Sequence, residues 1–166
     1  MIVIGIDPGT ARTGYGFVEE RPDGTIQAVA YGVIETNANQ PMEFRLLELY
    51  RQLKTLILLH QPDCGAVEKL FFQKNVSTAL SVGQARGVAI LALTEAAVPL
   101  SEYSPSDVKI AVSGYGGADK NQVQQMVRTL LYLSSVPKPD DAADALAIAI
   151  CHVQNKHLND LLMQSS

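Results

Sequence analysis

The chain has 166 residues, 47% of them hydrophobic and 18% charged, which suits one domain with its own buried core. Only two cysteines occur, Cys64 and Cys151, which excludes a disulfide framework and any zinc or iron–sulfur site built from cysteines; we expect both to be reduced and buried. Seventeen acidic residues against thirteen basic ones give a net charge of −4, so a polyanionic partner would have to bind a local basic patch.

No apolar run approaches the roughly 20 residues of a membrane span. The chain opens directly on an apolar strand pattern with no signal peptide ahead of it, so we expect a cytoplasmic protein with no membrane association. We expect a single domain over residues 1–157, followed by a frayed C-terminal tail over residues 158–166.

The first third of the chain predicts three strands and a long helix. Residues 1–7, rich in Ile and Val, predict a buried strand that ends at an Asp-Pro-Gly turn. Residues 14–20 and 26–36 predict two more strands, and the short turns between the three favour an antiparallel meander. Apolar residues at helical spacing predict a helix that ends at His60.

In the rest of the chain, strands alternate with helices. Strands are predicted at residues 64–68 and 98–103. Helices are predicted at residues 75–97, from Pro105 through Lys109, at residues 119–133 and at residues 140–157. A meander followed by this alternation predicts an α/β fold with a sheet of mixed strand direction and helices on both faces.

Small residues recur on the helix predicted at residues 75–97. Ala79, Gly83 and Gly87 are spaced four apart, so they share one helix face. Such a face lets another backbone approach closely. We expect close packing there, either within the fold or across a dimer.

Four acidic residues stand at positions typical of an active site. Asp7 and Glu68 end two predicted strands, and in α/β proteins the chemistry usually lies beyond the carboxyl ends of the strands. Asp141 and Asp144 are three apart on a helix, which places both on one face. If the strands carrying Asp7 and Glu68 are neighbours, all four carboxylates can converge.

Four carboxylates packed together require divalent cations, and a set of oxygen ligands favours Mg²⁺ or Mn²⁺. Two such ions about 3.5–4 Å apart would activate a water and stabilise the leaving oxygen of a phosphodiester. The predicted reaction class is therefore that of a nuclease.

Each acid also has a purely structural interpretation. Asp140, Asp141 and Asp144 lie where a helix N-terminus favours aspartate for capping and dipole reasons alone, and we assign Asp140 mainly to capping. Asp7 could serve as a turn residue, although a carboxylate at the end of an apolar strand is costly to bury without a partner. Glu68 could simply be exposed.

An ordered set of short motifs spans nearly the whole chain. They are Gly5-Ile6-Asp7-Pro8-Gly9, Thr13-Gly14-Tyr15-Gly16, Glu68 followed by Phe71, Lys74-Asn75, Ala79-Leu80, Gly83-Gln84-Ala85-Arg86-Gly87-Val88 and Asp141-Ala142-Ala143-Asp144-Ala145-Leu146-Ala147. Together they resemble the RuvC family of bacterial Holliday junction resolvases. The resemblance implies a ribonuclease H-like fold with a mixed five-stranded sheet. It also implies a homodimer that nicks two opposing strands of a four-way DNA junction in recombination and repair, with two Mg²⁺ ions per subunit.

The resemblance also assigns roles to individual residues. The catalytic and metal-binding acids of the family fall on the four already selected: Asp7, Glu68, Asp141 and Asp144. The DNA-binding positions fall on Phe71, which would stack on an unpaired base, on Lys109 and Lys120, which would contact phosphates, and secondarily on Lys69 and Lys74. Each of these residues also has a structural alternative: Phe71 could be a core residue, and the lysines could simply be solvated. For Arg86 both a phosphate contact and an internal ion pair stay open.

Other functions are weighed against this one. An ATP-binding protein of the actin-like fold opens with a similar strand and turn, but it needs two such domains. A resolvase-like nuclease acting on ribosomal RNA precursors would lack the Gly-Gln-Ala-Arg-Gly segment. A non-catalytic DNA-binding module would not need four acids.

The resemblance further implies cooperation with a branch-migration motor complex, RuvA and RuvB.

Overall fold

The structure is a computed structural model, and it describes residues 1–69 and 76–164, with side chains for residues 1–69 and 79–157. The elements in chain order are β1 (Ile2–Asp7), β2 (Arg12–Glu20), β3 (Ile26–Glu35), α1 (Met42–His60), β4 (Cys64–Glu68), α2 (Val76–Glu95), β5 (Leu100–Tyr103), α3 (Pro105–Ser113), α4 (Lys120–Leu130) and α5 (Asp140–Gln164). None of the helices within these residues is long and apolar enough to cross a membrane.

The strands form one five-stranded sheet in the order β3-β2-β1-β4-β5. The pairs β1–β2 and β2–β3 are antiparallel, which confirms the predicted meander. The pairs β1–β4 and β4–β5 are parallel. The strands that end in Asp7 and Glu68 are thus direct neighbours, which is the condition that the sequence left open.

Hydrophobic cores lie on both faces of the sheet, as predicted. Side chains alternate between the faces along a strand, so Val3 of β1 packs under α3, α4 and α5, while Ile4 and Ile6 pack under α1 and α2. The middle of α5, residues 142–153, is almost wholly buried. Both cysteines are buried free thiols, as expected from the composition.

Two helices end earlier than the apolar pattern predicted. Ala97 adopts a left-handed conformation, φ 55°, just after α2, and Tyr132 does the same, φ 53°, just after α4. Helices usually end in this way at glycine, so neither end carries the usual signal in the sequence. In the opposite direction, α5 extends past the predicted end at His157 to Gln164.

Candidate active site

Asp7 and Glu68 lie side by side at the ends of two adjacent parallel strands. Ile6 pairs with Val67 in the β1–β4 register, so Asp7 and Glu68 are one step further along their strands. Side chains two apart on a strand share a face, and Val3 belongs to the core beneath α5. Asp7 therefore points to the α5 side of the sheet, like Val3. Glu68 points to the same side from β4, like Ala66, which belongs to the same core.

Glycines in the strands bring the N-terminal end of α5 onto this part of the sheet. A Cβ atom at Gly5 would stand 2.1 Å from the backbone oxygen of Ala145, and one at Gly14 would stand 2.0 Å from that of Asp141. The helix backbone therefore lies directly on the strand backbone, closer than any side chain would allow. Because Gly14 is the register partner of Asp7, this contact places Asp141 beside Asp7.

The electrostatics of Asp7 reflect its acidic neighbours. Burial raises the pKa of Asp7 to about 7, and repulsion from Glu68, Asp144 and Asp141 adds to the shift. Lys120 acts in the opposite direction but does not offset these effects. The four predicted acids are thus brought into one electrostatic neighbourhood, in which the negative charge of Asp7 is poorly compensated.

A cavity of about 210 Å³ opens beside these acids. Glu68 and Asp144 line it together with Lys109 and Lys120. Burial raises the pKa of Glu68, and repulsion from Asp144 adds to it; burial likewise raises the pKa of Asp144, although Lys120 opposes that shift. The lining of the cavity therefore combines carboxylates with ammonium groups, and this combination suits a phosphate group approaching bound cations.

Lys120 makes direct contact with the acidic cluster. Its Nζ atom lies 3.0 Å from Oδ2 of Asp144 and 3.6 Å from Oδ2 of Asp140. Burial acts to lower the pKa of Lys120, but the hydrogen bond to Asp144 and the attraction of the nearby carboxylates outweigh it, so the pKa is raised. A lysine therefore supplies the positive charge next to Asp144.

The side chains do not form a closed ligand cage as they stand. Among the described side chains, those of residues 1–69 and 79–157, no group of three or more His, Cys, Asp or Glu residues could hold a metal ion. The donors nevertheless fit a hard divalent cation, because all four are carboxylates fixed on rigid elements and Mg²⁺ and Mn²⁺ prefer oxygen ligands. Burial and the three neighbouring acids raise the pKa of Asp7, and a cation bound beside it would oppose that shift.

The predicted DNA-binding residues are only partly within the described structure. Lys109 and Lys120 meet at the cavity. Lys69 is exposed directly after Glu68, and its backbone N–H donates to the carbonyl oxygen of Tyr103 at 2.8 Å. Phe71 and Lys74 lie outside the described residues.

Arg86 has a role at the site that sequence reasoning left undecided. Its guanidinium forms an ion pair with Glu102 of β5, and its Nε atom donates to the backbone oxygen of Glu68 at 3.3 Å. The structure thus shows the internal ion pair, while the phosphate contact stays a prediction. The Gly-Gln-Ala-Arg-Gly segment draws attention to Arg86 in the sequence. Nothing in the sequence shows that the side chain of Arg86 reaches the end of β4.

Comparison with known proteins identifies the family. The profile of the family described as "Crossover junction endodeoxyribonuclease RuvC" matches residues 3–152 of the chain. The chain belongs to the RuvC family. A RuvC from Chloroflexus aggregans is 60% identical over 92% of both chains, and one from Desulforamulus reducens is 53% identical over 93% of this chain and 94% of that protein.

Solved structures of the RuvC family agree with this fold. The Thermus thermophilus RuvC structure superimposes with a TM-score of 0.89 at 35% identity, over 96% of this chain and 97% of that one. The T. thermophilus RuvC in complex with a Holliday junction substrate gives a TM-score of 0.91 at 34% identity, over 96% of each chain. The ribonuclease H-like fold implied by the motifs is confirmed.

Membership of the RuvC family settles the class of enzyme. The chain is a crossover junction endodeoxyribonuclease, a nuclease that resolves Holliday junctions in DNA recombination and repair. Neither the ribosomal RNA nuclease nor the ATP-binding protein weighed above is supported.

Proposed function

We propose that Asp7, Glu68, Asp141 and Asp144 bind two divalent metal ions and form the catalytic centre of this resolvase. The observation that carries the proposal is the contact of α5 with Gly14, which puts Asp141 next to a half-buried Asp7 whose charge is poorly compensated. Nucleases of this family are metal-dependent. All four acids lie within residues 1–157, which we propose to be the single nuclease domain.

We further propose Mg²⁺ as the metal, with Mn²⁺ as a substitute. Carboxylate oxygens are hard ligands, and Mg²⁺ is commonly held by a few carboxylates together with substrate phosphates. When bound, two such ions supply positive charge to the scissile phosphate and make the attacking water more acidic. The strand-borne acids fix one side of the site, and the helix-borne acids fix the other.

The lysines of the cavity have a separate task in this proposal. Lys109 and Lys120 attract the DNA backbone to the acidic centre and hold phosphate oxygens there. Lys69, Lys74 and Phe71 remain the proposed further contacts to DNA, the last by stacking on a base at the crossover. These contacts position the junction, while the carboxylates perform the chemistry.

A direct test uses a labelled four-way junction with a short homologous core, beside a linear duplex and an RNA–DNA hybrid. We expect paired, symmetric nicks in the junction alone, present with Mg²⁺ and absent with EDTA. The Asp7→Asn variant should bind the junction normally and leave it uncut, because the amide cannot replace a carboxylate ligand. Undiminished cleavage by Asp7→Asn would remove this residue from the metal site.

We propose that the enzyme acts as a homodimer joined through α2. A four-way junction has approximate two-fold symmetry, so two opposed nicks need two related active sites. Leu80 is 65% exposed and Leu91 is 58% exposed on the face of α2 that also bears Gly87. A Cβ atom at Gly87 would meet nothing within 4 Å. An open apolar face with a glycine at its centre suits close approach by the same helix of a second copy.

The remaining partner and the compartment are also proposals. A resolvase must meet its junction while strands are still being exchanged, so we propose cooperation with a branch-migration motor complex of the RuvA and RuvB kind. We propose the cytoplasm as the place of action because a junction nuclease must reach chromosomal DNA.

A further inference from the structure

Lys120 is held between two carboxylates that differ in function. Its Nζ atom is 3.0 Å from Asp144, a proposed metal ligand, and 3.6 Å from Asp140, which lies outside the four acids. A carboxylate oxygen engaged by an ammonium group is hindered from binding a divalent cation, because the two positive charges repel each other at that distance. Metal binding at the Oδ2 atom of Asp144 therefore requires Lys120 to move away.

Asp140 has a carboxylate oxygen free to form an ion pair with Lys120. Its Oδ1 atom accepts a hydrogen bond from Lys138 at 2.9 Å, so its other oxygen remains directed at Lys120. The side chain of Gln124 lies close to the same carboxylate and is only 6% exposed. Its Nε2 atom is buried and has no hydrogen-bond partner in the described part of the chain. The carboxylate of Asp140 is an acceptor within reach of that donor.

We propose that Asp140 is a positioning residue that takes Lys120 over from Asp144 when a divalent ion binds. The proposal rests on the metal site proposed above. The exchange needs only a short shift of the ammonium group, and it leaves Lys120 at the cavity, where a phosphate approaches. Lys120 thus pairs with Asp144 when no metal is bound. When metal and DNA are bound, it pairs with Asp140 and lies where it can contact a phosphate.

The expected effect is modest, because the ion pairs involved are partly exposed. The side chains of Lys120, Asp140 and Asp144 are 56%, 45% and 31% exposed. Exposed ion pairs are individually weak. We therefore expect loss of Asp140 to weaken metal binding by about three- to fivefold.

The test measures Mn²⁺ binding without DNA, from the rise in the unfolding temperature as Mn²⁺ is added. It compares the unaltered protein with Asp140→Asn, Lys120→Gln and the double variant. We expect Asp140→Asn to raise the dissociation constant about three- to fivefold when Lys120 is present and by less than about 1.5-fold when it is Gln. Asp140→Glu keeps the carboxylate and should restore binding.

Two controls separate the possible outcomes. Glu95→Gln removes an acid from another exposed ion pair, with Lys54, on the opposite face of the sheet, and should leave Mn²⁺ binding unchanged. An equal weakening by Asp140→Asn in both backgrounds would show a direct charge effect and overturn the proposal. If Mn²⁺ fails to stabilise the unaltered protein, the metal site itself is refuted; if it stabilises every variant equally, only the role of Asp140 is refuted.

Discussion

At the scale of a single residue, Asp7 is a proposed metal ligand whose charge makes the folded protein less stable. Its carboxyl group ends a buried strand, and burial together with three neighbouring acids raises its pKa from 3.8 to about 7. A carboxyl whose pKa is higher in the folded chain binds its proton more tightly there. It therefore lowers the free energy of unfolding as the pH rises from about 3.8 towards 7, and the loss is complete above pH 7.

This residue yields a prediction about stability. In EDTA at pH 8, Asp7→Asn should raise the unfolding temperature by at least about 2–4 °C, the shift that 1 kcal/mol gives in a domain of this size. The amide carries no charge, so it escapes the repulsion. The gain should shrink towards pH 4, where the carboxyl is protonated in the folded protein. Calorimetric scans at the two pH values check this, and an unchanged unfolding temperature at pH 8 would contradict it.

Three elements meet at Arg86. It projects from α2, forms an ion pair with Glu102 of β5, and donates to the backbone oxygen of Glu68 at the end of β4. The helix proposed to form the dimer is thereby tied to the strand that carries Glu68, a proposed catalytic acid. A lysine at this position would keep the charge but lose the donor geometry of the guanidinium.

We predict that Arg86→Lys lowers the rate of cleavage more than it lowers affinity for the junction. A displacement of about 1 Å in a catalytic group can reduce a rate by about 100-fold, so a loss of tenfold or more is expected. Single-turnover cleavage and gel-shift binding, measured on the same junction, separate the two quantities. Equal losses in both would instead indicate that Arg86 contacts DNA.

The exposed face of α2 yields a prediction about assembly. Leu91 is 58% exposed, so Leu91→Glu should leave the fold intact while placing a charge in the proposed dimer contact. Ile110 on α3 is 54% exposed on the opposite side of the sheet, and Ile110→Glu serves as the matched control. Light scattering should give a monomer for the first variant and a dimer for the second. A dimer in both would place the contact elsewhere.

At the scale of the whole molecule, the sequence predicts what depends on local pattern. Periodicity predicts the strands and helices, and the position of Asp7 at the end of an apolar strand predicts a functional acid. The register of β1 against β4 depends on contacts between distant segments, and the pattern does not contain it. The same holds for the helix ends at Ala97 and Tyr132, and for the reach of Arg86 to Glu68.

The packing of α5 on the sheet yields the last prediction. Gly14→Ala would place a methyl group 2.0 Å from the backbone oxygen of Asp141, so α5 must move away by more than 1 Å. We expect cleavage to fall by about 100-fold or more. Circular dichroism should still report a folded protein. Gly24→Ala, at a turn where φ 81° strains an alanine but the Cβ atom meets nothing, is a control for a loss of stability that does not displace α5.

The obstructing atom at Gly14 belongs to the main chain, and this has an evolutionary consequence. A clash between two side chains can be relieved by shortening the partner, but every amino acid at position 141 carries the same carbonyl oxygen. A genetic screen for suppressors of Gly14→Ala should therefore return true revertants, or changes that reseat the whole helix, and none at position 141. Gly14 is therefore required by a backbone oxygen that no substitution at position 141 can remove.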